Sequence, residues 1–207
     1  MTSSTVRAVA ILGGLALWAA FTAVNARVEL VNPVLLAAIE LRHVTKSFGS
    51  RRVLDDVSLA MPAARGLCIL GRSGTGKSVT LKHIVGLLEP DSGSVKVDGE
   101  EVVGMGRAKL YELRRRVGYV FQFAALFDSM TIAENLAMGL IKQGGYSEAQ
   151  IRARIQESLE LVELDGFEER LPAELSGGQR KRAGLARAIA FRPKYLLYDE
   201  PTSGLDP

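Results

Sequence analysis

The sequence predicts an α/β fold with a helical insert, and three observations predict it. A glycine-rich turn, Gly71-Arg-Ser-Gly-Thr-Gly-Lys77-Ser78, sits between a short apolar stretch and a run with helical apolar spacing. Several other segments alternate apolar and polar residues or run as short apolar stretches, as strands do. From about residue 125 to 175 the pattern changes to helix, before a strand-like stretch returns near residue 195.

Taken in order, Ile39-Glu-Leu-Arg-His-Val44 alternates as a half-buried strand, and Arg51-Arg52 and Val53-Leu54 lead into a second strand-like stretch that ends near Met61-Pro62. Gly66-Leu-Cys-Ile-Leu70 is a short apolar strand, and Val79 to Leu88 is a helix. Glu89-Pro90-Asp91-Ser92-Gly93 breaks the chain. Ser94-Val-Lys-Val-Asp98 alternates again and ends in the turn signal Asp98-Gly99. Val117-Gly-Tyr-Val-Phe121 is another strand. Thr131 with Glu134, and Ser147 with Gln150, are capping boxes that open helices. Ile151, Ile155, Leu159 and Val162 form one apolar stripe on the second of these. Pro193 stops a helix, and Tyr195-Leu-Leu-Tyr198 reads as a buried strand ending in Asp199-Glu200.

The turn at Gly71–Ser78 fits G-x-x-x-x-G-K-[ST], the phosphate-binding P-loop. A strand that feeds a glycine-rich turn into a helix N-terminus points backbone N–H groups at an anion, and the helix dipole favours negative charge there. Gly74 and Gly76 let the backbone approach a phosphate without a Cβ between. Lys77 reaches the terminal phosphates, and Ser78 has the hydroxyl to ligate Mg²⁺. Leu175-Ser176-Gly177-Gly178-Gln179 is a second phosphate-facing candidate. Ser176 caps a helix, Gln179 closes the capping box, and two glycines leave the helix end bare.

Those five residues spell the ABC signature. With the P-loop upstream and Tyr195-Leu-Leu-Tyr-Asp-Glu200 downstream, the chain resembles the nucleotide-binding subunit of an ABC transporter from Ile39 to Pro207. The resemblance implies a P-loop NTPase core of the ABC ATPase type with a mixed sheet, an ATP hydrolase using ATP and Mg²⁺. The implied ATP-binding residues are Phe48, Gly71, Ser73, Gly74, Thr75, Gly76, Lys77, Ser78, Val79, Ser176, Gly177, Gly178, Gln179 and Asp206. Phe48 stands where the family has an aromatic residue stacked on adenine, and stacking needs only the ring face. Ser78, Gln122 and Asp199 are the implied metal set. Asp199 is the Walker B carboxylate and Gln122 the Q-loop glutamine. Glu200 polarises the attacking water, with Lys77 and Gln122 as the other catalytic candidates. Ser203-Gly-Leu-Asp206 matches the D-loop, which crosses to a second subunit.

The same resemblance implies partners. The signature of one copy faces ATP bound by another, so the catalytic unit is a dimer, and it acts on integral-membrane permease subunits at the cytoplasmic face of the membrane. Gly74 to Val79, Leu81 to Leu88, Phe121 to Thr131 and Lys181 to Ala190 are similar to the ATPase of Mla-type lipid transporters. That similarity implies an MCE-type substrate-binding protein and a phospholipid or related cargo. An importer of another cargo, or a soluble ABC ATPase outside transport, are the alternatives.

Composition sets bounds on these readings. Of 207 residues, 47% are hydrophobic and 24% charged, which suffices for a globular domain with a real core. A net charge of +3 is too small to indicate a nucleic-acid partner. Arg114–Arg116 and Arg180–Arg182 read as solvated helix faces or partner contacts. The single cysteine excludes an internal disulfide, and its place in an apolar strand gives Cys68 core packing as its expected role.

Residues 1–37 stand apart from the globular part, which begins near Ala38. Ala8 to Ala26 is uncharged and mostly apolar, between Arg7 and Arg27. A signal peptide is one reading, discounted because export would separate an ATPase from its ATP. A membrane anchor is another, at the short end of the roughly 17–25 residues that span a bilayer. A translation start placed too far upstream is the reading preferred here. At the other end the chain stops at Pro207, directly after the D-loop. His43 and His83 both precede Walker B, so neither is the family's switch histidine. The expectation is an ATP-binding domain, residues 38–207, that is truncated at its C-terminus.

Overall fold

The computed structural model describes residues 7–11, 37–63, 65–122 and 124–199. The chain divides into two compact units, Met1–Leu110 and Tyr111–Pro207.

The first unit contains β1 (Arg7–Ile11), β2 (Ala37–Phe48), β3 (Arg51–Pro62), β4 (Gly66–Leu70), α1 (Lys77–Ile84), β5 (Ser92–Val97) and β6 (Glu100–Glu101). Four strands make an antiparallel sheet in the order β3-β2-β5-β6. The expected alternation in β2 is present: Ile39, Leu41 and Val44 are buried, while Arg42 and His43 face outward. The step from Leu41 to Val44 crosses a register shift, where His43 has a φ of 50°. Leu54 of β3 and Val95 and Val97 of β5 complete this buried set. Burying each such side chain contributes roughly 1.5–3 kcal/mol. Asp98 and Gly99 both have positive φ, as a two-residue type I′ hairpin turn requires, and they join β5 to β6.

The strand before the glycine-rich turn pairs antiparallel with β1, in a register from Arg7 opposite Leu70 to Ile11 opposite Gly66. Part of the N-terminal apolar run is therefore a strand neighbouring β4; residues 12–36 lie outside those described. Cys68 corrects an expectation. It is exposed, as is Leu70 at 56%, because no element among the described residues covers the side of β4 that carries them. Among the described residues no helix is long and apolar enough to cross a membrane.

Helix α1 stops four residues short of the Leu88 expected from periodicity. Gly86 at φ 60° explains the stop. Its N–H donates to the His83 carbonyl at 3.1 Å, and the Leu87 N–H donates to Lys82 at 2.9 Å, which is a Schellman cap. His83 is buried in this last turn, with Nδ1 2.6 Å from the Val79 carbonyl. Burial lowers its pKa from the ordinary 6.5, against the pull of the Val79 bond, and Lys46 adds to the lowering. The unfolded chain therefore takes up a proton that the folded one refuses. Stability is full above about pH 6.5 and falls as pH drops below it. Urea unfolding at pH 5.5 and 7.5 should show this loss, smaller in His83→Gln; equal losses in both proteins would remove His83 as the cause.

The second unit contains most of α2 (Arg107–Arg116), then β7 (Val117–Val120), α3 (Ile132–Gln143), α4 (Glu148–Glu160), a 3₁₀ turn at Pro172–Glu174, α5 (Gly177–Ile189) and β8 (Tyr195–Tyr198). Strands β7 and β8 pair in parallel, Val117 opposite Tyr195 through Val120 opposite Tyr198. All three capping boxes form, at Thr131, Ser147 and Ser176. The helices share one core of Ile132, Leu136, Leu140, Ile155, Leu159 and Leu175 with Ala183 and Ala186 of α5. Val162 belongs to that core but lies beyond the end of α4. Helix α5 ends at Ile189, ahead of Pro193. Strand β7 ends at Val120, leaving Phe121 37% exposed outside it, and Tyr198 is exposed at the end of β8.

Candidate functional site

The candidate residues fall into both units. Phe48 and Gly71 to Val79 are in the first; Gln122, Ser176 to Gln179 and Asp199 are in the second. Glu200 and Asp206 lie outside the described residues.

In the first unit the chain leaves β4 at Leu70, turns through Gly71–Gly76 and enters α1 at Lys77. Gly76 is the N-cap, at φ 97° and ψ 6°, and no side chain caps the helix. A Cβ there would lie 2.7 Å from Leu54 Cδ2 and 3.2 Å from the Val53 carbonyl oxygen, so only glycine fits. Thr75 holds the turn, its Oγ1 donating to the Arg72 carbonyl at 2.8 Å. Lys77 Nζ lies across the loop, donating to the carbonyls of Gly71 at 2.9 Å and Arg72 at 3.0 Å. An uncapped helix N-terminus with a cation folded over the loop suits a multiply charged phosphate. The sequence did not point to Arg51, whose guanidinium donates to the Gly74 carbonyl at 3.3 Å. Arg51 is paired across the hairpin with Phe48, the expected adenine platform. Phe48 is 47% exposed, so it is not a core residue, and Lys46 Nζ stands 5.7 Å from its ring centre.

In the second unit Asp199 follows β8, and its N–H donates to the Val120 carbonyl at 3.0 Å. It is 8% exposed, and the Tyr119 hydroxyl donates to Oδ2 at 3.1 Å. Burial first, and then the Asp199 charge and bond, push the Tyr119 hydroxyl well above its ordinary pKa, so it stays a donor. Gln122 is half-buried just past β7. After it, Ala124 and Ala125 take left-handed backbone at φ 59° and 50°. Arg187 of α5 holds this pair, donating to Ala125 at 2.5 Å and Ala124 at 3.1 Å. Gly184, one turn earlier, lies so close that a Cβ would be 2.8 Å from Ala124 Cβ. The structure thus joins the segment after Gln122 to the helix that Ser176 caps. Nothing in residue spacing marks Arg187, Gly184 or Tyr119 for these contacts.

Ser176 caps α5 as expected: Oγ accepts from the Gln179 N–H at 3.2 Å, and Gln179 Oε1 accepts from the Ser176 N–H at 2.8 Å. Side chains added at Gly177 or Gly178 would meet nothing within 4 Å, so this helix end is open. Arg180 and Arg182 do more than solvate a helix face. Arg180 donates to the Leu175 carbonyl and Arg182 to those of Val162 and Glu163.

Ser78 of the first unit carries a hydroxyl, and Gln122 and Asp199 of the second carry an amide oxygen and a carboxylate, hard oxygen donors of the kind Mg²⁺ takes. Among the described residues no group of three or more His, Cys, Asp or Glu side chains could hold a metal ion.

A strand, glycine loop and uncapped helix, together with a buried carboxylate at the end of a parallel strand, define a P-loop nucleotide-binding protein. The family model described as ABC transporter matches residues 54–203, and the chain belongs to that family, with the mixed α/β fold of its ATP-binding cassettes. It is 49% identical over 170 residues to "Probable ribonucleotide transport ATP-binding protein mkl" of Mycobacterium leprae, covering 82% of this chain and 49% of that protein. It is 47% identical over 171 residues to the sulfate/thiosulfate import ATP-binding protein CysA of Bradyrhizobium diazoefficiens, covering 81% of this chain and 48% of that one. The chain spans about half the length of the curated relatives it matches. Among solved structures, the dimeric bacterial ABC transporter cassette MJ0796 superposes with a TM-score of 0.71 at 34% identity, over 81% of this chain and 76% of that one. The same cassette has been solved as a dimer in a post-hydrolysis state bound to ADP and Pi.

Proposed function

We propose that this chain is the ATP-binding subunit of an ABC transporter and hydrolyses ATP to drive transport. The observation that carries the reading is the loop at Gly71–Ser78, with an uncapped helix behind it and Lys77 folded over it. In this reading Lys77 and the loop N–H groups hold the β- and γ-phosphates, and Phe48 stacks on adenine. Ser78, Gln122 and Asp199 would hold Mg²⁺, which when bound would offset phosphate charge. Glu200 orients the attacking water and accepts its proton, and Gln122 assists it. The open end of α5 faces ATP held by a second copy, with Asp206 crossing between the two, so two chains complete each site. Integral-membrane permease subunits at the cytoplasmic face receive the resulting motion.

Lys77→Ala in the full-length protein is expected to weaken MgATP binding about 10- to 100-fold, the loss of a charged hydrogen-bonding group from a preorganised site. Calorimetry measures it, and unchanged affinity would sink the assignment.

For cargo we propose phospholipids or related lipids moved between membranes, with an MCE-type binding protein as partner. The support is the Mla-like run through Phe121–Thr131 and Lys181–Ala190. The names of the ribonucleotide and sulfate/thiosulfate relatives favour a second reading, the same enzyme serving another cargo. Purifying the complex from membranes by a tag on this chain separates the two. Co-purified phospholipid and an MCE-domain protein uphold the first; a complex holding neither overturns it.

A further inference from the structure

The Walker B carboxylate has a neighbour that the motifs do not name. Tyr119 lies opposite Leu197 in the parallel pair β7–β8. Side chains two apart on a strand share a face, so Tyr119, Leu197 and Asp199 line up on one side. Phe121, two residues after Tyr119, falls on that side too, and its ring packs against the Tyr119 ring with centroids 4.4 Å apart at 37°. The tyrosine is thus held from both directions. Its ring rests on Phe121 and its hydroxyl ends on Asp199 Oδ2 at 3.1 Å. At 8% exposure Asp199 has little water to orient it, and the bond to Tyr119 is one of the contacts that set which way the carboxylate faces. A carboxylate has about four lone-pair sites, so accepting from Tyr119 does not use up its capacity to meet a cation's hydration shell.

We propose that Tyr119 is a positioning residue for the cation-binding carboxylate, fixing the orientation in which Asp199 meets the Mg²⁺ of bound MgATP. The inference rests on the reading of Asp199 given under Proposed function. A phenylalanine at 119 would keep the packing on Phe121 and lose only the hydrogen bond. Outer hydrogen-bond partners of this kind set the ligand's orientation and are worth about 10- to 100-fold in metal affinity.

The test uses Mn²⁺ as a spectroscopic substitute for Mg²⁺, on the full-length protein. Electron paramagnetic resonance of Mn²⁺ with ATP gives the cation affinity of the loaded site, and ATP titration in EDTA gives nucleotide binding without a cation. Tyr119→Phe is expected to weaken Mn²⁺ about tenfold while ATP affinity in EDTA and the thermal midpoint hold at wild-type values. Asp199→Asn is expected to lose the Mn²⁺ signal of the site. Wild-type Mn²⁺ affinity in Tyr119→Phe alongside loss in Asp199→Asn overturns the role of Tyr119 and leaves the carboxylate's. Wild-type Mn²⁺ affinity in Asp199→Asn overturns both. A fall in ATP affinity in EDTA for Tyr119→Phe that matches the fall with Mn²⁺ shows a structural effect and also overturns the proposal.

Discussion

Glu200→Gln in the full-length protein is expected to bind MgATP as the wild type does and to hydrolyse it slower by about two or more orders of magnitude. Glutamine matches the shape of glutamate but carries no charge and cannot accept the proton of an attacking water. Asp199, the residue before it, is 8% exposed just after β8, where burying a carboxylate without partners would cost several kcal/mol. The variant should also accumulate as a closed, ATP-filled dimer, because hydrolysis is what reopens it in this reading. Phosphate release and size-exclusion chromatography measure the two effects. Wild-type turnover in Glu200→Gln would take the water-orienting role away from Glu200.

The second large effect is expected on stability. Arg187→Ala should destabilise the protein by about 1–3 kcal/mol, the range for removing a half-buried group with charge-assisted bonds. Its guanidinium satisfies two carbonyls, those of Ala124 and Ala125, in a left-handed conformation that non-glycine residues adopt at a cost. Burial lowers the Arg187 pKa, yet the group stays charged at any physiological pH. Arg187→Lys should recover only part of the loss, since a single ammonium cannot reproduce a planar fork bonded to two neighbouring carbonyls. Urea unfolding reads both variants. Equal stability of wild type and Arg187→Ala would show that the alanine pair holds its shape unaided.

Local chemistry was legible in the sequence wherever it repeats a short pattern. The three capping boxes, the Asp98–Gly99 turn and the strand–loop–helix at Gly71–Ser78 each depend on residues a few positions apart, and each forms as read. What depends on distant chain was not legible. Periodicity alone carried α1 on to Leu88, but the left-handed Gly86 closes it earlier. Cys68 looked like a core residue because strand composition says nothing of whether a face is covered. Arg51, Tyr119 and Arg187 reach partners 23, 80 and 62 positions away in sequence, distances over which no pattern of spacing operates.

The seam between Gly184, Arg187 and the alanine pair carries a consequence for how this part of the protein opens. The Arg187 guanidinium bonds both alanine carbonyls and Gly184 lies in close contact with Ala124, so the turn cannot move far without loosening its hold on α5. Opening of the turn is therefore expected to be coupled to release of the helix, and hydrogen exchange at the Ala124 amide, which donates to the Phe121 carbonyl at 3.0 Å, reads that coupling.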